Sequence, residues 1–223
     1  MPDILTSAES LIAESLDRAN GPACLTCSFQ AEDMVVLALA RKLEPRIPVL
    51  FLETGYHFAA TYAYRDRMAA EWNLNLVNLM PELSVPQQES QFGILYQTEP
   101  SRCCAMRKVE PLMRALDDYS VWLTGLRREQ SPTRANLAEI EPHRLPSGRI
   151  IRKVNPLALW KWNEVWSYLA VNEIPHLPLY DEGYTSIGCE PCTAKPADPG
   201  NPRSGRWGGL KLECGIHTAT QGA

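Results

Sequence analysis

Four of the seven cysteines in this chain fall into two close pairs that could bind a metal. Cys103 and Cys104 are adjacent, and Cys189 and Cys192 form a CxxC motif much later in the chain. Four thiolates are soft ligands that select zinc or an iron–sulfur cluster over harder cations. A structural zinc site normally separates its paired thiols, whereas adjacent cysteines favour a larger cluster. We therefore predict a [4Fe–4S] cluster on these four residues, with zinc as the alternative.

The three remaining cysteines have different surroundings. Cys24 and Cys27 form a second CxxC, but it falls inside a predicted strand, where residues three apart point to opposite faces. A thioredoxin-like redox pair lies instead at the start of a helix. We interpret both as small, buried core residues. Cys214 stands apart from all the pairs, near the end of the chain.

Basic residues lie close to the paired thiols and after a later strand. A cluster on four thiolates carries negative charge, and Arg107 and Lys108 are candidate cations beside it. Lys108 could face both the cluster and a substrate anion, although its spacing fits a solvated helix charge at least as well. Arg127, Arg128 and Arg134 could bind phosphate or sulfate, because guanidinium groups match those oxygens. Such a run is otherwise a solvated face.

The elements that must position these residues alternate between strands and helices. Period and composition predict, in chain order, a strand at 23–29, a helix at 32–43, a strand at 47–54, a helix at 58–72, a strand at 74–79, a helix at 105–117 and a strand at 119–125. Apolar strands that alternate with helices imply an open parallel sheet covered by helices on both faces.

Three polar loops follow strands of this sheet and should meet at one rim of it. They are SFQAED at 28–33, LETGYHF at 52–58 and TGLRREQSPTR at 124–134. Unpaired backbone N–H groups at the helix start after Ser28 could hold a phosphate without a lysine. A simple helix N-cap is the commoner explanation of so short a string. The three loops together predict an anion site.

The rest of the chain completes one domain and adds a tail. We predict an acidic amphipathic helix over 1–20, a mobile loop or short irregular helix over 81–100, a hairpin over 142–152 and a helix over 155–174. Beyond Thr193 the sequence becomes rich in proline, glycine and basic residues. We therefore predict a nucleotide-binding domain over 1–193 and a mobile tail over 194–223 that carries Cys214.

Composition excludes several classes of protein. A chain of 223 residues that is 45% hydrophobic can bury a substantial core. Its net charge of −4 argues against a protein that coats nucleic acid, which needs a surplus of basic residues. No apolar run approaches the length of a membrane span, and the N-terminus lacks the features of a signal peptide. We expect a cytoplasmic protein whose cysteines stay reduced.

Six motifs, taken in order, resemble those of one enzyme family. They are SFQAED (28–33), LETGYHF (52–58), CCAMRKVEPL (103–112), TGLRREQS (124–131), PLYDEGYTSIGCEPCT (178–193) and SGRWGGLKLECGIH (204–217). The chain is similar to the assimilatory adenylyl-sulfate and 3'-phosphoadenylyl-sulfate reductases from about Ser28 to His217. This resemblance implies an adenine nucleotide α-hydrolase-like α/β fold and an iron–sulfur enzyme of sulfate assimilation and cysteine biosynthesis.

The resemblance also implies a reaction and its residues. Cys214 would attack the sulfur of adenylyl sulfate, releasing AMP and leaving an S-sulfocysteine, from which thioredoxin or glutaredoxin releases sulfite. A tail hinged by Gly and Pro would close for the first step and open for the second. His217 and the tail arginines would surround the thiol with positive charge. The implied substrate-binding residues are Ser28, Glu32, Thr54, Gly55, Lys108, Arg127, Arg128, Arg203, Arg206 and His217.

Several alternatives stay open at this stage. Family members with both cysteine pairs mostly use adenylyl sulfate, so the 3'-phosphorylated substrate, or both, is the second choice. An ATP-dependent adenylating enzyme of the same fold would need a glycine-rich SGGxDS-type loop, which SFQAED lacks. A non-catalytic metal sensor would not require Cys214. The chain also departs from the commoner pattern at Glu53 and Cys27. The sequence leaves the oligomeric state open, a homo-oligomer included.

Overall fold

The computed structural model describes residues 2–198, 200–209, 211 and 213–217, and within them six strands form one sheet. The strand order is β3-β2-β1-β4-β6-β5, and every neighbouring pair is parallel except β5 with β6. The strands are β1 (Ala23–Thr26), β2 (Pro48–Leu52), β3 (Asn75–Leu79), β4 (Val121–Leu123), β5 (Ile140–Arg144) and β6 (Ile150–Val154). The predicted α/β class with a mostly parallel sheet is confirmed.

The helices lie between these strands and after them. Their bounds are α1 (Pro2–Asp17), α2 (Ala31–Leu43), α3 (Ala59–Glu71), α4 (Val85–Phe92), α5 (Leu95–Thr98), α6 (Pro100–Cys104), a π-helical segment (Ala105–Val109), α7 (Glu110–Leu116) and α8 (Trp162–Val171). None of the described helices is long and apolar enough to span a bilayer.

The order of the strands creates a crevice at the centre of the sheet. From β1 the chain moves outward through β2 to β3, and it then returns to place β4 on the other side of β1. Ligands of open α/β sheets bind at such a switch point, outside the carboxyl ends of the strands. The loops after β1 and β4, which hold Ser28 and Arg127, therefore border this crevice.

The sheet is buried on both faces, as its apolar strands require. Cys27 packs in the larger of two apolar clusters and Cys24 in the other. Both are almost fully buried, at 2% and 0% exposure. The sequence interpretation of Cys24 and Cys27 as core residues that point to opposite faces is confirmed.

Three segments differ from the sequence prediction. Residues 81–100 contain α4 and α5, and α4 begins with a capping box in which Ser84 and Gln87 satisfy each other's backbone N–H groups. The helix predicted from residue 105 starts at Pro100, because a proline is favourable in the first turn of a helix. The helix predicted from residue 155 starts only at Trp162, after a series of turns.

The first part of the predicted tail packs against the body. Thr193 forms an isolated antiparallel bridge with Arg206, and the Ala194 N–H donates to the Gly205 carbonyl at 2.8 Å. Gly205 is needed here because a Cβ at this position would lie 2.0 Å from the Ala194 carbonyl oxygen. The chain from 194 to 205 is therefore a loop closed at its base. Mobility of the tail stays a prediction.

Candidate active site

A cavity of about 580 Å³ lies at the switch point of the sheet. Ser28 and Lys108 line it, together with residues that follow β1, β2 and β4. The tail closes the other side with Arg203, Arg206 and Cys214. The fold thus brings the isolated cysteine to the loop that the sequence marked as an anion site.

The loop after β1 is held by one carboxylate. Asp33 Oδ2 accepts hydrogen bonds of 2.6 Å from both the backbone N–H and the hydroxyl of Ser28. Burial raises the pKa of Asp33 to about 6, although the Ser28 hydrogen bonds oppose this rise. Gly125 is required beside it, because a Cβ there would lie 2.2 Å from Asp33 Oδ1. Ser28 is therefore held at the cavity wall by Asp33, in the first turn of the helix that follows it.

A buried ion pair forms the wall next to this loop. Arg127 donates to Glu32 Oε1 through Nη2 at 2.9 Å and Nε at 3.2 Å, and to Glu129 Oε2 at 2.9 Å. Gln130 Nε2 donates to the same Glu32 oxygen at 3.0 Å. Two carboxylates therefore balance the charge of Arg127. Glu32 and Arg127 line the cavity as a structural pair in this arrangement.

Arg128 lies outside the cavity, contrary to its predicted substrate contact. Its side chain is exposed, and its Nε donates to the Leu137 carbonyl at 2.8 Å. Arg127 and Arg128 are adjacent, but Arg127 pairs with Glu32 in the cavity wall whereas the Arg128 side chain donates to the backbone of its own loop. Sequence spacing could not separate these two neighbours, because the loop contains a short 3-10 turn from Arg128 to Gln130.

All four paired cysteines line a second, small cavity. Cys103 and Cys104 end helix α6, and Cys189 and Cys192 flank a short 3-10 turn. Burial raises the pKa of Cys103 to about 11, and the charges of Cys104 and Cys189 add to this rise. Within the described ranges, no three Cys, His, Asp or Glu side chains are close enough to hold a single metal ion.

Thr54 and Gly55, predicted to bind substrate, line neither cavity but lie next to Cys189 and Arg107 of the thiol cavity. Cys189 Sγ is 3.4 Å from Thr54 Oγ1, and the Thr54 carbonyl accepts from Arg107 Nε. Arg107 is buried and also donates to the Leu83 carbonyl at 3.2 Å and to Gln88 Oε1 at 3.0 Å. Arg107 therefore ties the loop after β2 and helix α4 to the helix that carries the adjacent cysteines.

Lys108 lines both cavities and connects them electrostatically. Burial lowers its pKa, but the charges of Cys189, Cys214 and Cys104 outweigh burial and raise the pKa to about 12. Lys108 is thus a permanent cation between the paired thiols and Cys214. The π-helical segment that contains Arg107 and Lys108 lets these adjacent residues be buried against different partners.

The tail arginines are buried near Cys214. Burial lowers the pKa of Arg206, while the charges of Cys214 and Cys189 act in the opposite direction. Arg206 lies over the Trp207 ring at 4.4 Å and donates to Ser186 Oγ at 3.3 Å. Two of the predicted cations, Arg203 and Arg206, therefore line the cavity with the thiol.

His217 does not add the positive charge that the sequence suggested. Its ring stacks on Trp122, with centroids 5.4 Å apart and planes 17° from parallel. Burial lowers the pKa of His217 well below its usual range, and the nearby charge of Lys153 lowers it further. The imidazole is therefore neutral in this arrangement, and it serves to pack the end of the tail on β4.

Sequence reasoning missed the partner of Arg134. Glu213, the residue before Cys214, accepts from Arg134 Nε at 3.0 Å and from Nη2 at 2.6 Å. Thr133 Oγ1 donates to the same carboxylate at 2.9 Å. The one signal in the sequence was an acidic residue directly beside the isolated cysteine.

The fold and the site define an α/β protein with a cavity at its switch point and with cations and a thiol in the cavity wall. The family model described as the phosphoadenosine phosphosulfate reductase domain matches residues 22–195. The chain belongs to this family, as the resemblance of its motifs predicted.

Relatives and a solved structure agree with this assignment. The chain is 44% identical to the phosphoadenosine 5'-phosphosulfate reductase of Gloeobacter violaceus, over 94% of this chain and 88% of that protein. It is 45% identical to the adenosine 5'-phosphosulfate reductase of Mycobacterium tuberculosis, over 87% of this chain and 78% of that protein. The crystal structure of the phosphoadenylyl-sulfate reductase of Candida auris has a TM-score of 0.73 at 27% identity, covering 84% of this chain and 90% of that one.

Proposed function

We propose that this protein is an adenylyl-sulfate reductase that converts adenylyl sulfate to sulfite and AMP, with a thioredoxin or glutaredoxin as the electron donor. The observation that carries the proposal is the position of Cys214 in the wall of the cavity that Ser28, Lys108 and Arg206 also line. A nucleophile, an anion-binding loop and buried cations then face one volume. The names of the relatives at 44–45% identity support the same reaction.

In the first proposed step, the Cys214 thiolate attacks the sulfur of the substrate sulfate. A bond forms between Cys214 Sγ and this sulfur, and the bond from the sulfur to the bridging oxygen breaks. AMP leaves with the electron pair on its phosphate oxygen. Lys108 and Arg206 stabilise the charge that develops on the sulfate and phosphate oxygens, because fixed cations in a buried site need little reorganisation.

In the second proposed step, a donor thiolate attacks Cys214 Sγ. A mixed disulfide forms, and sulfite leaves with the electron pair of the broken S–S bond. The second thiol of the donor then releases Cys214 and leaves the donor as a disulfide, so two electrons pass from the dithiol to sulfur. We place this reaction in the cytoplasm, because all seven cysteines are free, as in proteins of a reducing compartment.

We further propose that Cys103, Cys104, Cys189 and Cys192 hold a [4Fe–4S] cluster. These four thiols line one cavity together with the cation Lys108. A zinc ion would draw all four sulfurs onto one atom, whereas a cluster distributes them over several irons. When bound, the cluster supplies negative charge near Lys108. Iron analysis and a visible absorption band test this assignment, and a colourless protein with bound zinc contradicts it.

The 3'-phosphorylated nucleotide is the second candidate substrate. The relative from Gloeobacter violaceus is named for it, whereas the mycobacterial relative is named for adenylyl sulfate. We favour adenylyl sulfate because the family resemblance associates it with both cysteine pairs. Sulfite production from each nucleotide, with thioredoxin supplied, decides between them. A higher kcat/KM for the 3'-phosphorylated substrate would reverse our choice.

The decisive experiment is a comparison of Cys214→Ser with the unchanged protein. Incubated with adenylyl sulfate and no thiol donor, the unchanged protein should gain the mass of one SO3 group on the peptide that carries Cys214. The variant should gain none and should lose sulfite production by about a thousandfold or more. Its iron content should not change.

Cys24→Ala provides the matched control, because this thiol is fully buried in the core and does not line the cavity. It should retain both the adduct and the activity. Normal sulfite production by Cys214→Ser, or an adduct on a different cysteine, would refute the proposed function.

A further inference from the structure

The residue before the proposed nucleophile fixes the tail to the body. The Glu213 carboxylate receives two hydrogen bonds from the guanidinium of Arg134, at 3.0 and 2.6 Å, in a side-on geometry. Arg203 Nη2 lies 3.6 Å from the same carboxylate. Arg134 belongs to the loop after β4, so this pair crosses from the tail to the body. Paired, charged hydrogen bonds of this kind are among the strongest in proteins.

The surroundings of this pair distinguish it from the exposed ion pairs of the molecule. The side chains of Arg134 and Glu213 are 11% and 12% exposed, whereas those of Arg114 and Glu82 are 55% and 77% exposed. Exposed pairs contribute little, because water and salt screen them. Arg134 also donates to Gln130, which in turn contacts Glu32 in the cavity wall. The pair is thus connected to the wall on which the substrate is proposed to lie.

The residues that follow Cys214 form a second anchor. Ile216 packs into the apolar cluster beneath the sheet, and His217 stacks on Trp122. Gly215, which lies between Cys214 and Ile216, has a φ of 96°, which favours glycine and turns the chain sharply. Cys214 is therefore held between a charged anchor on one side and an apolar anchor on the other.

We expect the closed arrangement of the tail to require the charge of Glu213 and not only the shape of its side chain. Burial and the neighbouring charge of Arg134 lower the pKa of Arg203 to about 10, while the charge of Glu213 acts in the opposite direction. A neutral side chain at position 213 would leave two buried guanidinium groups beside each other. Loss of the carboxylate should therefore weaken the closed arrangement more than loss of a neutral hydrogen bond.

We propose that the ion pair of Glu213 with Arg134 is a latch that holds the tail closed with Cys214 in the cavity. Glu213 is then a positioning residue for the attack on the substrate, and the latch must open before a protein thiol reaches the adduct. The inference rests on the proposed function for its two steps, but the latch itself is a property of the protein without substrate.

Limited digestion with trypsin tests the latch directly. Lys211 is partly buried, and its Nζ donates to the Pro100 carbonyl at 3.3 Å, so the bond after Lys211 is protected while the tail is closed. Mass spectrometry gives the rate of cleavage at this bond. The variants are Glu213→Gln, Arg134→Gln and the double variant. Arg134→Gln leaves the sequence around the cleaved bond unchanged, which removes any direct effect of Glu213 on trypsin.

Each single variant should be cleaved after Lys211 about tenfold to a hundredfold faster than the unchanged protein. The double variant should add little, because both changes remove the same contact. Added salt should speed cleavage of the unchanged protein more than that of the variants. Glu82→Gln, which removes an exposed pair, should have no effect. Equal cleavage rates for Arg134→Gln and the unchanged protein would overturn the latch.

Thermal unfolding shows whether each variant is folded. A further variant, Glu213→Asp, keeps the negative charge while shortening the side chain. If Glu213→Gln does not fold, an intermediate cleavage rate for Glu213→Asp supports the latch, and an unchanged rate overturns it. These readouts need no reaction. If adenylyl sulfate leaves no SO3 on Cys214 of the unchanged protein, the proposed function fails while the latch is still decided by digestion.

Single-turnover measurements then separate the two steps. Formation of the SO3 adduct on Cys214 should be about tenfold or more slower in Glu213→Gln, because the thiol is no longer held in the cavity. Release of sulfite from the adduct by thioredoxin should be as fast as in the unchanged protein or faster. A variant slowed equally in both steps would indicate a general structural defect and contradict the latch.

Discussion

At the scale of single residues, the site depends on buried charges whose partners are distant in sequence. Glu32 lies in the first turn of helix α2 and Arg127 in the loop after β4, yet their 2.9 Å pair forms one wall of the cavity. Burial lowers the pKa of Lys108, but the charges of thiols from three separate segments outweigh burial and raise it. Each of these charges is retained in the interior because a partner of opposite sign compensates for lost hydration.

Asp33 should make stability depend on pH. Its pKa rises on folding from 3.8 to about 6, mainly because of burial, so the folded protein holds a proton that the unfolded chain releases. This contribution is complete below pH 3.8 and is lost as the pH rises to about 6. Asp33→Asn should remove this decline, which corresponds to about 3 kcal/mol in the free energy of unfolding. Urea unfolding at several pH values measures it.

The control for this prediction is the exposed Asp17 in helix α1. Asp17→Asn should leave the pH profile of stability unchanged. Identical profiles for Asp33→Asn and the unchanged protein would show that Asp33 does not carry the effect.

The sequence predicted some of these residues and not others, for physical reasons. Cys24 and Cys27 followed from the alternation of a strand, which is a local rule. Arg128 lies outside the cavity and His217 is buried against Trp122, which the sequence could not indicate, because side-chain direction in a loop and burial under a folded tail depend on distant contacts. Glu213 was missed because its partner, Arg134, lies 79 positions away.

At the scale of elements, one helix with a π-helical segment organises both cavities. Helix α6 ends with the adjacent cysteines, the π-helical segment carries Arg107 and Lys108, and α7 continues the axis. Such segments occur often at functional sites because they change which way a residue points. Apolar periodicity predicted a helix from 105 to 117, but it carried no signal for the wider turn.

Helix α4 supports this arrangement through Gln88, which accepts from Arg107. Its capping box at Ser84 should therefore matter for stability. Ser84→Ala should lower the free energy of unfolding by about 1 kcal/mol, and Ser84→Gly by only a few tenths. Urea denaturation checks both variants. A Ser84→Ala protein as stable as the original would mean that the box contributes nothing.

At the scale of the whole molecule, the switch point of the sheet could be predicted from the sequence, whereas the closure of the C-terminal tail over it could not. Strand and helix alternation implied a parallel sheet and a rim where three loops meet. Nothing local in the tail indicated that Thr193 pairs with Arg206, or that Ile216 and His217 reach the core beside β4. Contacts between the two ends of a fold depend on the complete structure.

The shielding of Trp122 from solvent by His217 can be measured by fluorescence quenching. Trp122 is fully buried and lies between His217 on one side and His143 on the other. His217→Ala should increase quenching of Trp122 by acrylamide, because the small side chain leaves the indole accessible. The same two proteins are also prepared with Trp122→Phe. Subtracting their fluorescence signals isolates the contribution of Trp122 from that of the other tryptophans. Equal quenching in His217→Ala and the unchanged protein would show that the stacked His217 ring is not what shields Trp122 from solvent.

The bridge between Thr193 and Arg206 also limits how far the sulfur of Cys214, the proposed nucleophile, can travel. If the chain moves only beyond Arg206, eight residues of fully extended backbone allow Cys214 a radius of about 26 Å. Such a tether would keep the sulfur at a high effective concentration over the proposed substrate. The proposed electron donor would then have to come within this radius of the rim, so the choice of donor should depend on the shape of the body around that rim.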